Sequence, residues 1–510
     1  MDRQPFHGPT LALLTMALSL GTFMQVLDTS IANVSIPTIA GNLGVSADQG
    51  AWVITSFAVS NAIALPLTGW LARRFGEVRL FTVSVLLFTL ASWLCGLAPT
   101  LPVLLAFRVV QGAVGGPMIP LSQSLLLSNF PSERKGLALA LWSMTVVVAP
   151  ILGPILGGTI TDNYSWPWIF YINVPVGIVS AALAWQLLRD RETQTTQLPI
   201  DIVGLVLLIV GIGSLQVMLD RGNDLNWFSS TQIVTLGLIA LVALAYFVIW
   251  ELTETHPIVD LRLFTRRNFA IGTIVTALGY LVFFGGVVIY PLWLQLDMGY
   301  TAAWAGFAAA PIGILSVILS PVVGQNLHKF DLRAVATISF LIFGLVSFWT
   351  SHFTLATSFQ ELLPPRLIQG AAMATFFVPM VSITLSQLPP AQIASASGLS
   401  NFVRLLAGSF GTSLSITLWD RRAAFHFGRL TESFSPGNAA LTARLHALER
   451  LGVSPAVAQR MIAAYTHGQA VLLATNDLFW LSGWIFLSLI LLVWFARPPF
   501  GSPGNAIAAD

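Results

Sequence analysis

Long apolar runs separated by short polar gaps recur along the whole chain. Windows of about 19 residues pick out runs at 11–31, 49–71, 79–98, 102–124, 137–160 and 166–188, then 200–220 and 231–250. Six more follow at 269–293, 303–323, 333–350, 363–386, 395–418 and 476–496. A helix of about 20 apolar residues crosses a bilayer, so the pattern predicts an all-α membrane protein with about fourteen spanning helices. The runs group as a six-helix bundle over 1–190, a two-helix insert over 191–255 and a second six-helix bundle over 256–510, which includes a long loop at 420–475. The first run lacks a small-residue cleavage site at its end and is read as a retained span.

Composition agrees with that solvent. Charged residues make up 9% of the chain and hydrophobic ones 55%, whereas a water-soluble domain carries about a quarter charged residues. Mean hydropathy is +0.79, and 16 Trp with 33 Phe suit a surface that faces lipid. The net charge of +2 comes with no basic run, so no nucleic-acid partner is expected. The one cysteine, Cys95, lies inside an apolar run, excludes an intrachain disulfide and reads as a small buried hydrophobe.

Charge placement sets an orientation. Arg73, Arg74, Arg79, Arg134, Lys135, Arg189, Arg191, Arg262, Arg266, Arg267, Lys329, Arg333 and Arg497 fall in alternate gaps. Positive charge in short loops stays in the cytoplasm, which places both termini there. Arg422, Arg429, Arg444, Arg450 and Arg460 lie on the other side, in a loop long enough to be translocated regardless of charge. Its Ala, Leu and Arg content at helical spacing predicts a partly helical periplasmic extension.

An internal repeat is visible. Arg108-Val-Val-Gln111-Gly112-Ala113 recurs as Arg366-Leu-Ile-Gln369-Gly370-Ala371 in the fourth span of each six, and Pro66-x-x-Gly69 recurs as Pro321-x-x-Gly324 at nearly the same offset. Two parallel six-span repeats are the arrangement of the major facilitator fold.

Asp28, Arg108, Arg366 and Arg404 sit inside apolar runs, where a charge costs a few kcal/mol or more and must face the bundle interior or a water-filled cleft. Asp28 lies about 25 Å along the first span at helical rise, and Arg108 enters the fourth span from the outer side at a similar depth. Gln111, one turn below Arg108, can accept its hydrogen bonds. Asp28 is the candidate proton-responsive carboxylate with Arg108 as its neighbour; the alternative is a permanent ion pair that ties two helices together. Arg366 and Arg404 read as structural, satisfying carbonyls or phosphates. Asp297, Asp420 and Asp477, near span ends, read as solvated.

Three further patterns carry local physics. Leu27-Asp28-Thr29-Ser30-Ile31-Ala32-Asn33 occupies the first span, and Gly69-Trp-Leu-Ala-Arg73-Arg74-Phe-Gly76-Glu77-Val-Arg79 follows the second. In the latter, Gly69 and Gly76 permit a tight turn and Arg73, Arg74 and Arg79 hold it at the anionic inner surface. In the fifth span, Pro150, Gly153, Pro154, Gly157 and Gly158 combine lost backbone donors with small residues, so that span should bend and let a neighbour approach closely.

These patterns, with Trp168-Ile-Phe170-Tyr-Ile-Asn173-Val-Pro175 and Pro257-Ile-Val-Asp260-Leu261, resemble the fourteen-span drug:proton antiporter branch of the major facilitator superfamily. The likeness runs from about residue 10 to residue 500 and extends to the inner-membrane subunit of Emr-type tripartite efflux systems. The resemblance implies a bacterial inner-membrane protein that exports hydrophobic and amphipathic toxic compounds by alternating access. It also implies proton exchange through Asp28, Arg108 and Gln111, an antiporter motif in the fifth span, and handover to a periplasmic adaptor and an outer-membrane channel. Arg73 departs from the superfamily pattern, which places Asp there.

No phosphate-binding loop is present, which excludes ATP as the energy source; the resemblance implies the proton gradient in its place, with no cofactor or metal expected. The candidate cavity residues are Phe23, Gln25, Asn33, Trp142, Phe283, Phe284, Phe376 and Arg404, whose rings would take greasy cargo by area. A facilitator exporting one metabolite or siderophore is the alternative. An enzyme is disfavoured, because the spans carry no clustered His, Cys or paired carboxylates.

Overall fold

The computed structural model describes residues 5–131, 134–197, 199–432, 434 and 438–500. It is helical, with no strand among the described residues; in lipid, only a helix or a closed barrel satisfies every backbone polar group.

Local sequence decides where helices start, break and stop. α1 (Gly8–Leu43) carries Pro9 in its first turn and ends at Gly44, whose φ of 68° only glycine adopts freely. α2 (Ala47–Ala64) starts on a Ser46–Gln49 capping box. Pro66 then breaks the second apolar run, so α3 (Thr68–Phe75) leaves α2 at 61°. After α4 (Glu77–Gly96), the fourth span is α5 (Leu101–Gly115) plus α6 (Met118–Asn129), interrupted at Gly116-Pro117. α7 (Lys135–Asn163) turns by 43° between Lys135–Pro150 and Ile155–Thr161, the bend expected of its prolines. α8 (Trp168–Tyr171) and α9 (Asn173–Leu188) complete the sixth span.

α10 (Ile202–Arg221) and α11 (Thr231–Thr253) pack on each other as the insert. Then come α12 (Arg267–Leu296), α13 (Ala302–Ala309), α14 (Pro311–Asn326), α15 (Leu332–Thr350) and α16 (Phe359–Leu385). α17 (Pro390–Thr431), α18 (Ala439–Arg450) and α19 (Pro455–Val493) close the chain. The insert is fastened to α17: Ser413 Oγ donates to the Leu219 carbonyl at 2.7 Å and Trp227 Nε1 to Thr417 Oγ1 at 2.8 Å.

Among the described residues, eleven helical segments are long and apolar enough to cross a membrane, or thirteen when each bent pair counts as one span. The run expected at 395–418 lies inside α17 but is not among them, because Ser395, Ser397, Ser400, Asn401 and Arg404 dilute it. Its polar side is buried against protein, with Ser397, Gly398, Asn401, Gly408 and Gly411 inside. The expected loop at 420–475 is mostly helix, formed by the end of α17, α18 and the start of α19. Residues 433 and 435–437 of that loop lie outside the described residues.

The basic gaps gather at one end of the molecule. Phe6 N–H donates to the Asn129 carbonyl at 3.1 Å, and the Arg191 guanidinium lies 3.7 Å over the Phe6 ring. Thr196 N–H donates to the Arg73 carbonyl at 2.8 Å, and Arg267 Nε to the Phe495 carbonyl at 2.7 Å. The two groups of spans are sealed together at this end. A Cβ on Gly136 would lie 2.5 Å from the Gly324 carbonyl oxygen, one on Gly398 2.8 Å from the Leu65 carbonyl oxygen, and one on Gly69 2.5 Å from Ser395 Cβ. Gln123 Oε1 accepts from Asn401 Nδ2 at 3.0 Å and from the Ser397 hydroxyl, joining α6 to α17. Toward the other end Asn33, Pro37 and Gly41 of α1 and Pro150, Ile155 and Thr159 of α7 are exposed.

Candidate functional site

Asp28, Arg108 and Gln111 meet, and all three are fully buried. Arg108 Nη1 donates to Asp28 Oδ2 at 2.5 Å and to Gln111 Oε1 at 2.7 Å, the latter one helical turn along α5. Gln111 Nε2 closes the triangle by donating to Asp28 Oδ1 at 3.0 Å. Arg108 Nε donates to the Val53 carbonyl of α2 at 3.0 Å, and the guanidinium sits 4.3 Å from the Phe57 ring and 5.6 Å from the Phe170 ring. Arg108 Nη2 has no hydrogen-bond partner.

A fourth member comes from the sixth-span motif. Asn173, at the start of α9, donates through Nδ2 to Asp28 Oδ1 at 2.9 Å and to Ser92 Oγ at 2.9 Å. Ser92 in turn donates to the Phe170 carbonyl at 2.9 Å. The carboxylate thus has donors from α5 and α9 and is itself fully buried. In a medium this dry, a buried ion pair gains Coulomb energy that its desolvation largely cancels, so its worth lies in the cost of breaking it. Adding a proton to Asp28 would remove the partner charge of Arg108 and weaken every bond that tethers α1 to α5.

The fifth-span motif lies beside this network. Gly153 faces Ser30, with no room for a Cβ, and Gly157 would place one 2.9 Å from the Ile31 carbonyl oxygen. Ser30 Oγ donates to the Pro150 carbonyl at 3.0 Å, and Ser35 and Thr161 share a hydrogen bond of 2.9 Å. The motif therefore brings α7 onto the stretch of α1 next to Asp28. Gly158 faces open space instead, so close approach does not explain it. The side chain of Pro154 lies outside the described part of the structure. A Gly153→Val exchange must push α1 and α7 apart, and overpacking of this kind costs about 1–3 kcal/mol. Thermal unfolding of the purified protein should show a clear drop for Gly153→Val and almost none for Gly158→Ala.

Among the basic-loop candidates, Gly76 makes the turn, with φ 87°. Gly69 is helical, so its smallness serves the contact with Ser395 and not a turn. Glu192 crowns the start of α4, accepting from Val78 N–H at 3.0 Å and Arg79 N–H at 2.9 Å. Arg74 stacks on Trp70, 5.5 Å from ring centre. The Arg73 carbonyl accepts from Thr196 N–H in the segment after α9.

The cavity candidates separate into groups. Phe283, Phe284, Phe376 and Arg404 converge on Tyr280, a residue that no sequence motif singles out. Phe284 stacks on its ring at 5.4 Å, Phe376 lies at 6.4 Å, and the Arg404 guanidinium covers it at 4.8 Å. Trp142 is in the core, donating through Nε1 to Ser122 Oγ at 2.9 Å. Gln25 is buried one turn before Asp28 with Oε1 unpartnered, Phe23 is half-buried, and Asn33 is exposed. At the far end Asp477 is not simply solvated: it accepts from His426 Nε2 at 2.8 Å and from Arg422.

The sequence profile of the Major Facilitator Superfamily matches residues 18–412. The chain belongs to this superfamily. It is 54% identical over 505 residues to the multidrug export protein EmrB of Escherichia coli (strain K12), covering 99% of each chain. Identity to the fatty acid resistance protein FarB of Neisseria gonorrhoeae is 50% over 505 residues, covering 99% of this chain and 100% of that one. Among solved structures, the proton:xylose symporter XylE superposes with a TM-score of 0.62 at 16% identity, covering 97% of both chains. As in other members of the superfamily, the helices form a multi-pass membrane transporter.

Proposed function

We propose that this facilitator is a proton-driven exporter of hydrophobic and amphipathic compounds across the bacterial inner membrane. The observation that carries the reading is the fully buried Asp28–Arg108 pair, clasped by Gln111 and Asn173 in the span that the antiporter motif packs against. The names of two relatives, a multidrug export protein at 54% identity and a fatty acid resistance protein at 50%, support the cargo class.

In this mechanism residues 1–190 and 256–510 act as halves that rock about the centre, with 191–255 as the insert. With the basic loops inside the cell, the sealed end is cytoplasmic and the pair is charged in an outward-facing form. Protonation of Asp28 from outside favours the opposite facing state, and release inside restores the pair. A proton drives the exchange only because the two states hold it with different affinity. A periplasmic adaptor and an outer-membrane channel would receive the cargo, the helical extension over 420–475 being the part that reaches out to them.

Purified protein in liposomes with an imposed pH gradient tests this. Efflux of a lipophilic dye should appear with the gradient and vanish when an ionophore collapses it. Efflux that ignores the collapse would overturn the reading.

A further inference from the structure

The internal repeat extends beyond its six residues to their surroundings, and it is incomplete in one respect. Arg366 Nη1 donates to Gln369 Oε1 at 2.6 Å, as Arg108 does to Gln111 at 2.7 Å. Gly370 abuts the Ile312 carbonyl of α14 as Gly112 abuts the Phe57 carbonyl of α2. The Arg366 guanidinium lies 5.7 Å from the Phe479 ring of α19, matching the 5.6 Å between Arg108 and Phe170. It also covers the Tyr290 ring at 3.5 Å.

What the second half lacks is the acid. Carrying the repeat from Asp28 into α12 lands on Phe283 to Gly286, where two adjacent glycines stand. Arg366 is only 6% exposed, its Nη2 has no hydrogen-bond partner, and no carboxylate among the described residues forms an ion pair with it. A buried cation in that condition is costly unless something neutralises it. Beside it, a cleft of about 60 Å³ runs between α12, α17 and α19, lined by Gly285, Gly286, Leu414, Phe479 and Ser482 among others. Leu414 and Leu481, which line it, are exposed, and Phe479 both lines it and lies 5.7 Å from the Arg366 guanidinium.

We propose that Arg366 is the receptor for the anionic head group of an acyl-chain amphiphile that enters from the bilayer through this cleft past Phe479. The missing carboxylate of the second half is then supplied by the ligand, its tail remaining among the apolar side chains of α12, α17 and α19. Calling that ligand cargo rests on the export reading; its binding does not.

Equilibrium binding to the full chain in nanodiscs tests the site without any gradient, so failure here leaves the export reading to its own assay. The probes are radiolabelled dodecanoate and its neutral methyl ester, in phosphatidylcholine alone and with phosphatidylglycerol added. Arg366→Gln should weaken dodecanoate about tenfold, equal to 1.4 kcal/mol, and leave the ester unchanged, whereas Arg366→Lys should retain most of the preference. Gly286→Asp should mimic Arg366→Gln by installing an internal carboxylate; a Cβ there meets nothing nearer than the Phe479 ring at 3.5 Å, so this variant keeps the test open if Arg366→Gln fails to fold. Dodecanoate binding that persists with phosphatidylglycerol present assigns the site to a free amphiphile. Displacement by phosphatidylglycerol, with that lipid retained in native mass spectra by the parent protein but not by Arg366→Gln, assigns it to a lipid head group. Unchanged dodecanoate affinity in both Arg366→Gln and Gly286→Asp, with no difference in retained lipid, would overturn the proposal.

Discussion

Asp28→Asn is expected to reduce gradient-driven export by at least about a hundredfold while leaving substrate binding and gradient-free exchange intact. Asparagine has nearly the volume of aspartate and keeps an acceptor for Arg108 Nη1, which reaches Oδ2 at 2.5 Å. Under the proposed mechanism it loses the ability to be charged in one state and neutral in the other, and without that difference a proton cannot bias the two facing states. The variant mimics the protonated form, so it should also shift the resting population away from the conformer sealed at Gly136–Gly324 and Gly69–Ser395. Crosslinking of cysteine pairs placed across those contacts reports the shift, and proteoliposome flux reports the loss of coupling. Full coupling in Asp28→Asn would remove this carboxylate from the mechanism.

Arg108→Gln is expected to have the largest effect on stability. It leaves the Asp28 carboxyl group fully buried with only Gln111 and Asn173 as partners. Removing one partner of a buried pair costs about 3–5 kcal/mol, enough to lower the apparent melting temperature substantially and reduce the yield of folded protein. The Asp28→Asn/Arg108→Gln double variant removes both charges and should recover much of that loss. The non-additivity across the cycle measures the coupling between the two side chains. Recovery of stability must come without recovery of proton-driven transport, because the double variant has no titrating group in the network. Additive losses would mean that Asp28 and Arg108 do not sense each other.

The charged pair could be read from the sequence because lipid makes charges conspicuous. Asp28 and Arg108 stand out in apolar runs, and helical rise alone puts them at one depth. Asn173 was harder to see. It sits at the start of an apolar run, where a neutral amide is ordinary, and its importance follows only from the break that turns α8 into α9 and aims it at Asp28. Tyr280 was hidden for the opposite reason: one ring among many aromatic residues carries no mark until Arg404 is seen to cover it.

Span positions followed hydrophobic periodicity well, and the departures have local causes. Pro66 bends the second span, Gly116-Pro117 interrupts the fourth, and the polar face of α17 is tolerated because protein rather than lipid covers it. Asp477 was misread because its partners, Arg422 and His426, lie on α17, separated from it by the whole helical extension. The missing acid beside Arg366 was equally out of reach, since a repeat in sequence does not announce which member of a contact has been replaced by glycine.

The most direct test is infrared difference spectroscopy on the purified transporter, titrated from neutral to acid pH with and without bound substrate, comparing the parent protein with Asp28→Asn. The account predicts a protonated-carboxyl band that appears on acidification, shifts when substrate binds and is absent from the variant. A carboxylate band from Asp28 that persists unchanged through the titration and through substrate binding would contradict it, leaving the Asp28–Arg108 pair as a fixed tie between α1 and α5.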